Sequence, residues 1–159
     1  MLTAFTQLAA RLPGARLRIA GAAPKISHPQ IEVLGLVPLE RVPALIAQSS
    51  VLCLPSRYEP FGIVVLEAFA QKVPAVVTRV GALAHLVTDG ETGRVIDPGD
   101  PAALAAALED LLLHPEKCRA CGETAHRFAA EHFTWAAVGR KLRHEIDACL
   151  EPSRAAAAQ

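Results

Sequence analysis

The chain lacks both an excess of charge of one sign and a long uninterrupted apolar run. Its 159 residues include 16 Lys and Arg and 16 Asp and Glu, so the formal net charge is zero. A balanced chain has no bulk attraction for phosphate backbones or anionic membranes, so no nucleic acid partner is expected. Charges and prolines interrupt the apolar runs short of the roughly 20 residues that span a bilayer, which predicts no transmembrane segment. The first residues, MLTAFTQLAARLPG, lack a basic region and a cleavage site, which predicts a cytoplasmic protein.

The four cysteines are not expected to form a disulfide framework in a chain so rich in Ala and Leu. The four are Cys53, Cys118, Cys121 and Cys149. Cys118 and Cys121 form a CxxC, but it lies in a helical pattern, and no second CxxC or His pair follows at zinc spacing. We therefore expect reduced, mostly buried thiols and no metal site.

Two common nucleotide-binding fingerprints are also missing. The sequence has no P-loop, and AGAAP at 20–24 is not the GxGxxG of dinucleotide-binding proteins. This absence argues against a nicotinamide-dependent oxidoreductase. The acids of DGETG at 89–93 fit a turn better than a metal site.

Strand and helix patterns alternate along the chain, which is 52% hydrophobic and long enough for one domain. Strand patterns cover 15–21, 31–37, 51–55, 74–80 and 93–96, and helical patterns cover 2–12, 39–50, 61–72, 83–90, 101–113, 115–131 and 134–150. Asp100 and Thr134 are expected to cap helices, and Trp135 to anchor the last helix by packing. The alternation predicts an α/β fold, a Rossmann-like parallel sheet flanked by helices, over residues 1–150. A disordered tail is expected at 151–159.

The stretch SRYEPFGIVVLEAF, residues 56–69, places two acids where a buried strand passes into a helix. Ligands of parallel sheets bind outside the carboxyl ends of the strands, where helix N-termini favour phosphates. Gly62 removes a side chain where a ligand can approach the backbone. Because helical side chains lean toward the N-terminus, Glu67 can face the same pocket as Glu59. Two alternatives stay open: Glu59 as a partner of the helix dipole, and Glu67 as an ordinary exposed residue.

The segment VLCLPSRYEPFGIVVLEAFAQKVPAVVTRVGALAHLVTDGETGRVIDPGDPAALAAALEDLL resembles the C-terminal, donor-binding domain of retaining GT-B glycosyltransferases of family 4. Glu59 and Glu67 match the E-x7-E element of that family, and LPS, EPFG, LEA and DGETG match its flanks. Weaker matches extend from about residue 2 to about residue 148. The resemblance implies the C-terminal half of a GT-B fold. It also implies transfer of a sugar from a nucleotide-sugar to an unidentified acceptor, with retention of configuration.

The resemblance further implies roles for single residues. Glu59 is the catalytic residue and contacts the donor sugar, and Glu67 holds the ribose. The other donor-binding positions are the backbone amides of Phe61, Gly62 and Ile63, the backbone at Leu36 and Val37 in the base pocket, and the Arg57 cation. No metal or other cofactor is expected, since the helix end and cationic side chains neutralise the diphosphate.

Several departures from the family pattern shape the expectation for this chain. The family's domain opens with one more strand and a phosphate-gripping cation, and no acceptor domain precedes Met1. Lys72 stands where a glycine usually ends the helix, which disfavours a left-handed turn. We therefore expect a partial enzyme that pairs with an N-terminal acceptor domain or self-associates through apolar faces left bare. A non-catalytic nucleotide-sugar-binding or protein-interaction module is the alternative.

Overall fold

The computed structural model describes residues 1–22 and 25–157, and side chains as far as residue 150. The strands are β1 Leu17–Ala20, β2 Ile31–Gly35, β3 Leu52–Leu54, β4 Ala75–Thr78 and β5 Gly93–Ile96. The helices are α1 Leu2–Arg11, α2 Val42–Ala47, α3 Ile63–Ala70, α4 Leu83–Leu86, α5 Pro101–Leu113, α6 Pro115–His132 and α7 Trp135–Ala157, with a 3-10 turn at Leu39–Arg41. In the described part of the chain, no helix has the length and apolarity to cross a membrane.

Every strand pair in the described residues is parallel, which confirms the predicted α/β class. β1 pairs with β2, with Leu17 opposite Ile31. β4 lies between β3 and β5, with Ala75 opposite both Leu52 and Gly93. The strands nevertheless form two sheets, of two and three strands, where one sheet is expected. Neither β1 nor β2 pairs with a strand of the three-stranded sheet, so β1 and β3 each keep one unpaired edge.

Helices cover both faces of the three-stranded sheet. Successive residues of a strand point to opposite faces, and β4 is buried along its whole length. Val76 belongs to a cluster with α1 and α5, which contribute Leu8 and Leu111. Ala75 and Val77 belong to a second cluster with α3, α4 and α6. The continuous apolar run at 74–77 is therefore explained by burial on both faces.

The expected helix caps are present. Asp100 accepts a hydrogen bond from the Ala103 amide at 2.8 Å, and the Thr134 hydroxyl accepts one from the Ala137 amide at 3.2 Å. The expected packing of Trp135 is wrong, because this side chain is 92% exposed. Ala137 is buried instead. Two residues subtend about 200° on a helix, so Trp135 points away from the surface that Ala137 contacts.

The last helix continues through 151–157, a segment for which a disordered tail is expected. The alanines of this segment have high helix propensity. Residues 158–159 lie outside the described residues.

The cysteines lie in separate environments. Cys118 and Cys121 are buried in α6, as predicted, and the Cys118 thiol donates to the Ser50 carbonyl at 3.3 Å. Burial raises the pKa of the Cys53 thiol to about 11, whereas Cys149 is exposed. Within the described residues, no three His, Cys, Asp or Glu side chains are placed to hold a metal ion.

Candidate functional site

The loop 55–62 leaves the carboxyl end of β3 and leads into α3. The Thr78 hydroxyl, at the end of β4, donates a 2.5 Å hydrogen bond to the Ser56 carbonyl. Thr78 is only 2% exposed, so this bond is shielded from water. It ties the start of the loop to the neighbouring strand.

Two glycines allow the β4–α4 turn to pack against this loop. A Cβ atom on Gly81 would lie 1.9 Å from the Glu59 carbonyl oxygen, so only glycine permits this approach of the two backbones. Gly62 has φ +87°, and a Cβ atom there would lie 2.5 Å from Cδ2 of Leu83. Leu83 is fully buried. Contacts with the turn and α4 therefore fix the position at which α3 begins.

The start of α3 presents uncapped backbone amides. Gly62 is the N-cap residue, and no side chain caps the helix. The Val65 amide donates to the Gly62 carbonyl at 2.9 Å, whereas the amides of Ile63 and Val64 precede the first intrahelical acceptors. The Phe61 ring packs edge-on against Phe133, with centroids 6.3 Å apart. The amides of Ile63 and Val64 form the positive end of the helix dipole.

Both predicted acids lie along this part of α3. Glu59 is half-buried, and its Cγ atom lies 3.7 Å from the position of a Cβ atom on Gly62. Glu67 is also half-buried and lies one turn after Ile63, which is 66% exposed. Within the described residues, neither carboxylate has an ion-pair or hydrogen-bond partner. Among the described residues, no buried side-chain oxygen or nitrogen lacks a partner, so the carboxylate oxygens of Glu59 and Glu67 are open to solvent and to a ligand.

The remaining predicted positions are more dispersed. Arg57 is exposed on the loop, with no ion-pair partner among the described residues. Leu36 is 91% exposed and Val37 is half-buried, and both follow β2 in the two-stranded sheet. No hydrogen bond among the described residues joins Leu36 or Val37 to the loop 55–62. The structure thus places Glu59 beside Gly62 at the start of α3 and Glu67 one turn into that helix, whereas Leu36 and Val37 follow a strand of the other sheet.

Sequence reasoning missed the residues that hold the loop in place. Thr78, Gly81 and Leu83 make the supporting contacts described above. The available signals were a hydroxyl residue at the end of an apolar strand and a glycine three residues later in the turn. Neither signal reveals which neighbouring loop the residue contacts.

The site is an open surface. Two concavities lie elsewhere on the molecule. One, of about 290 Å³, is lined by residues that include Ser49, Lys72 and Arg119, and the other, of about 550 Å³, by residues that include Arg94 and Asp110. Neither concavity is lined by Glu59 or Glu67, and a pocket shared by these two acids stays a prediction. Large apolar side chains are exposed on the loop and at the start of α3: Tyr58, Phe61 and Ile63. Such an apolar rim is typical of a surface covered by a ligand or another domain.

Comparison with known proteins identifies the family. The family model "Glycosyl transferases group 1" matches residues 1–128. The chain belongs to this family. A GDP-mannose-dependent alpha-(1-6)-phosphatidylinositol monomannoside mannosyltransferase of Mycolicibacterium smegmatis is 31% identical, over 98% of this chain and 45% of the relative. A D-inositol 3-phosphate glycosyltransferase of Corynebacterium diphtheriae is 36% identical, over 89% of this chain and 37% of the relative.

Solved structures of glycosyl transferases confirm the expected C-terminal half of a GT-B fold. Sucrose-phosphate synthase from Thermosynechococcus elongatus is 26% identical, with a TM-score of 0.77 over 92% of this chain and 42% of that chain. A C-terminal domain of a group 1 protein, LpcC from Francisella tularensis, has the same fold at 19% identity, with a TM-score of 0.73 over 84% of this chain and 80% of that one. The chain thus spans less than half the length of the curated group 1 relatives.

Proposed function

We propose that this chain binds the nucleotide-sugar donor of a retaining glycosyltransferase, with residues 59–67 as the donor site. Family membership supports sugar transfer as the chemistry. One observation carries the site. Two half-buried carboxylates without protein partners flank a helix N-terminus whose amides no side chain caps.

The diphosphate of the donor is assigned to the start of α3. The amides of Phe61, Gly62 and Ile63 offer donors at the positive end of the helix, where anions bind. Negative charge grows on the leaving diphosphate in the transition state, so fixed donors there accelerate transfer. Arg57, exposed on the same loop, supplies a cation to this position. Because amides and a cation supply the neutralisation, donor binding needs no metal ion.

The two carboxylates are assigned to the sugars of the donor. Glu67 lies one turn into α3, and its side chain leans toward the helix N-terminus, where it can accept hydrogen bonds from the ribose hydroxyls. Glu59 lies at the start of the helix and contacts the transferred sugar as the catalytic residue. The backbone at Leu36 and Val37 contacts the base across the division between the sheets.

The acceptor side of the reaction is assigned to a second domain. The donor face is open and has an apolar rim, and the chain spans less than half the length of its relatives. A domain that covers this face would close the site and bind the acceptor. Retention of configuration is tested by determining the anomer of the product formed when such a domain is supplied.

Calorimetry with GDP, UDP and ADP and their sugars tests the donor site. Glu67→Ala is expected to weaken nucleoside-diphosphate binding about tenfold, since one charge-assisted hydrogen-bond pair is lost. Glu59→Ala should leave free nucleotide binding unchanged and abolish transfer. Glu131→Ala removes an exposed acid from α6 and is the matched control. Parent-like binding of nucleotide-sugar by both site variants would show that the assignment is wrong.

The same titrations, combined with a sugar-transfer assay, separate sugar transfer from the non-catalytic alternative. A chain that binds the donor through Glu67, but transfers no sugar when an acceptor domain is present, would be a binding module. Repeating the titration in EDTA is expected to leave the affinity unchanged. A large loss of affinity in EDTA would contradict metal-independent binding.

A further inference from the structure

Thr78 is one of two buried polar residues in the part of the chain that the structure describes, and Thr92 is the other. The Thr92 hydroxyl accepts a hydrogen bond from the Thr88 amide at 2.9 Å and closes a local turn. The Thr78 hydroxyl instead donates to the Ser56 carbonyl, 22 residues away in sequence. A buried hydroxyl is costly to leave unpaired, so this bond fixes the Ser56 carbonyl beside the end of β4.

The loop between β3 and α3 has few other fixed points before Glu59. The pairing of β3 with β4 ends at Leu54, opposite Val77. Among the described residues, no backbone-to-backbone hydrogen bond outside the helices and strands involves positions 55–61. Residues 57 and 58, which follow Ser56, are exposed. The bond from Thr78 is therefore the last polar anchor that the structure shows before the loop reaches Glu59.

The segment that begins with Thr78 also supports the loop at Glu59 itself. The Arg79 amide donates to the Ile96 carbonyl at 2.8 Å, which anchors the turn after β4 to the next strand, β5. Gly81, in the same turn, lies against the Glu59 carbonyl. Residues 78–81 therefore hold the loop twice, by a hydrogen bond three residues before Glu59 and by a backbone contact at Glu59.

We infer that Thr78 is a positioning residue for Glu59. Without the hydroxyl, the loop would keep its contact with Gly81 but lose its polar anchor, and the Glu59 carboxylate would occupy a wider range of positions. The inference rests on the proposed function, in which Glu59 contacts the transferred sugar. Contacts of Gly62 with Leu83 fix the start of α3 separately. Thr78 should therefore affect recognition of the sugar and leave the diphosphate site unchanged.

Replacement of Thr78 tests the inference by calorimetry. Thr78→Val removes the hydroxyl and keeps the branched side chain, and Thr78→Ser restores a hydroxyl. GDP is compared with GDP-mannose, and UDP with UDP-glucose; the dissociation constant of the nucleotide divided by that of its sugar is the sugar ratio. Thr78→Val is expected to lower the sugar ratio about tenfold and to leave the affinity for the free nucleotide unchanged. Thr78→Ser should return most of the ratio.

Thr92→Val is the matched control, because it removes an equally buried hydroxyl that does not contact the loop. Both valine variants should lower the urea midpoint, since each loses one buried hydrogen bond. The sugar ratio of Thr92→Val should nevertheless equal that of the parent. An equal loss of the ratio in both variants would show that general destabilisation is the cause, and would overturn the inference.

A double-mutant cycle with Glu59→Ala tests whether Thr78 acts through Glu59. In the Glu59→Ala background, Thr78→Val should cause no further loss of the sugar ratio, because the group that it positions is absent. A further loss as large as in the parent, or a parent-like ratio for Thr78→Val alone, would overturn the inference. A sugar ratio that Glu59→Ala itself leaves unchanged would instead contradict the proposed role of Glu59, and the inference would fail with it.

Discussion

Single glycines decide where the loop 55–62 lies. Gly81 allows the turn after β4 to touch the Glu59 backbone, and Gly62 adopts a left-handed conformation at the start of α3. The sequence predicted that Gly62 opens the backbone to a ligand. That role stays a prediction, whereas the structure shows that Gly62 makes room for Leu83, which no local pattern reveals because the two residues are distant in sequence.

Replacing Gly62 tests its structural role. Gly62→Ala is expected to lower the free energy of unfolding by about 2 kcal/mol, from left-handed strain and from the contact with Leu83. Urea denaturation measures the change. The control is Gly139→Ala in α7, where a Cβ atom meets nothing within 4 Å, and which should stabilise the chain by up to about 1 kcal/mol. An unchanged stability for Gly62→Ala would contradict the described loop.

A carboxylate far from the site carries a pH-dependent part of the stability. A hydrogen bond from Lys117, opposed by desolvation and helped by Arg94, holds the pKa of Asp110 below its usual value. A carboxyl group with a lowered folded-state pKa stabilises the fold above its unfolded pKa of about 3.9, and this contribution is lost as the pH falls through the folded pKa.

Asp110→Asn should therefore reduce stability near pH 7, with a difference from the parent that shrinks below about pH 4. Urea midpoints between neutral and acidic pH give this difference. Asp97→Asn is the comparison, because the Arg79–Asp97 pair is mostly exposed and should contribute little. A difference for Asp110→Asn that is constant with pH would contradict the ion-pair account.

The sequence predicts helices and strands well where a single local interaction decides the structure. Asp100 and Thr134 cap helices as predicted, because an N-cap is a local interaction. The end of α3 shows competition between local preference and packing. Lys72 adopts φ +59°, the left-handed turn that its side chain disfavours. The close approach of α6 explains the conformation of Lys72, since a Cβ atom on Gly122 in α6 would lie 2.0 Å from the Lys72 carbonyl oxygen.

Lys72→Gly is expected to stabilise the chain by about 1 kcal/mol, by relieving the left-handed strain. Thermal or urea unfolding measures the gain. Lys72→Ala keeps the strain and also removes the exposed Lys72–Glu123 ion pair, so it should not stabilise. Equal stability for the two variants would show that backbone strain at residue 72 is not the cause.

At the scale of the whole molecule, the sequence predicted the α/β class but not the division of the sheet. Strand patterns report which residues are apolar, whereas pairing depends on which strand edges meet. β1 and β3 therefore looked like members of one sheet, yet each has an unpaired edge. Trp135 was assigned to packing for a similar reason: an aromatic residue at a helix start indicates burial, but not whether a partner surface lies within the same chain.

The proposed function requires that a nucleoside diphosphate binds at the start of α3. Backbone amide NMR during titration with GDP and UDP tests this most directly, because it reports each amide separately. The account predicts that the largest shifts occur at Phe61, Gly62, Ile63 and Val64, and that Glu67→Ala weakens the response. Shifts confined to another surface, such as the groove between Lys72 and Arg119, or no saturable shifts with any nucleotide, would contradict it.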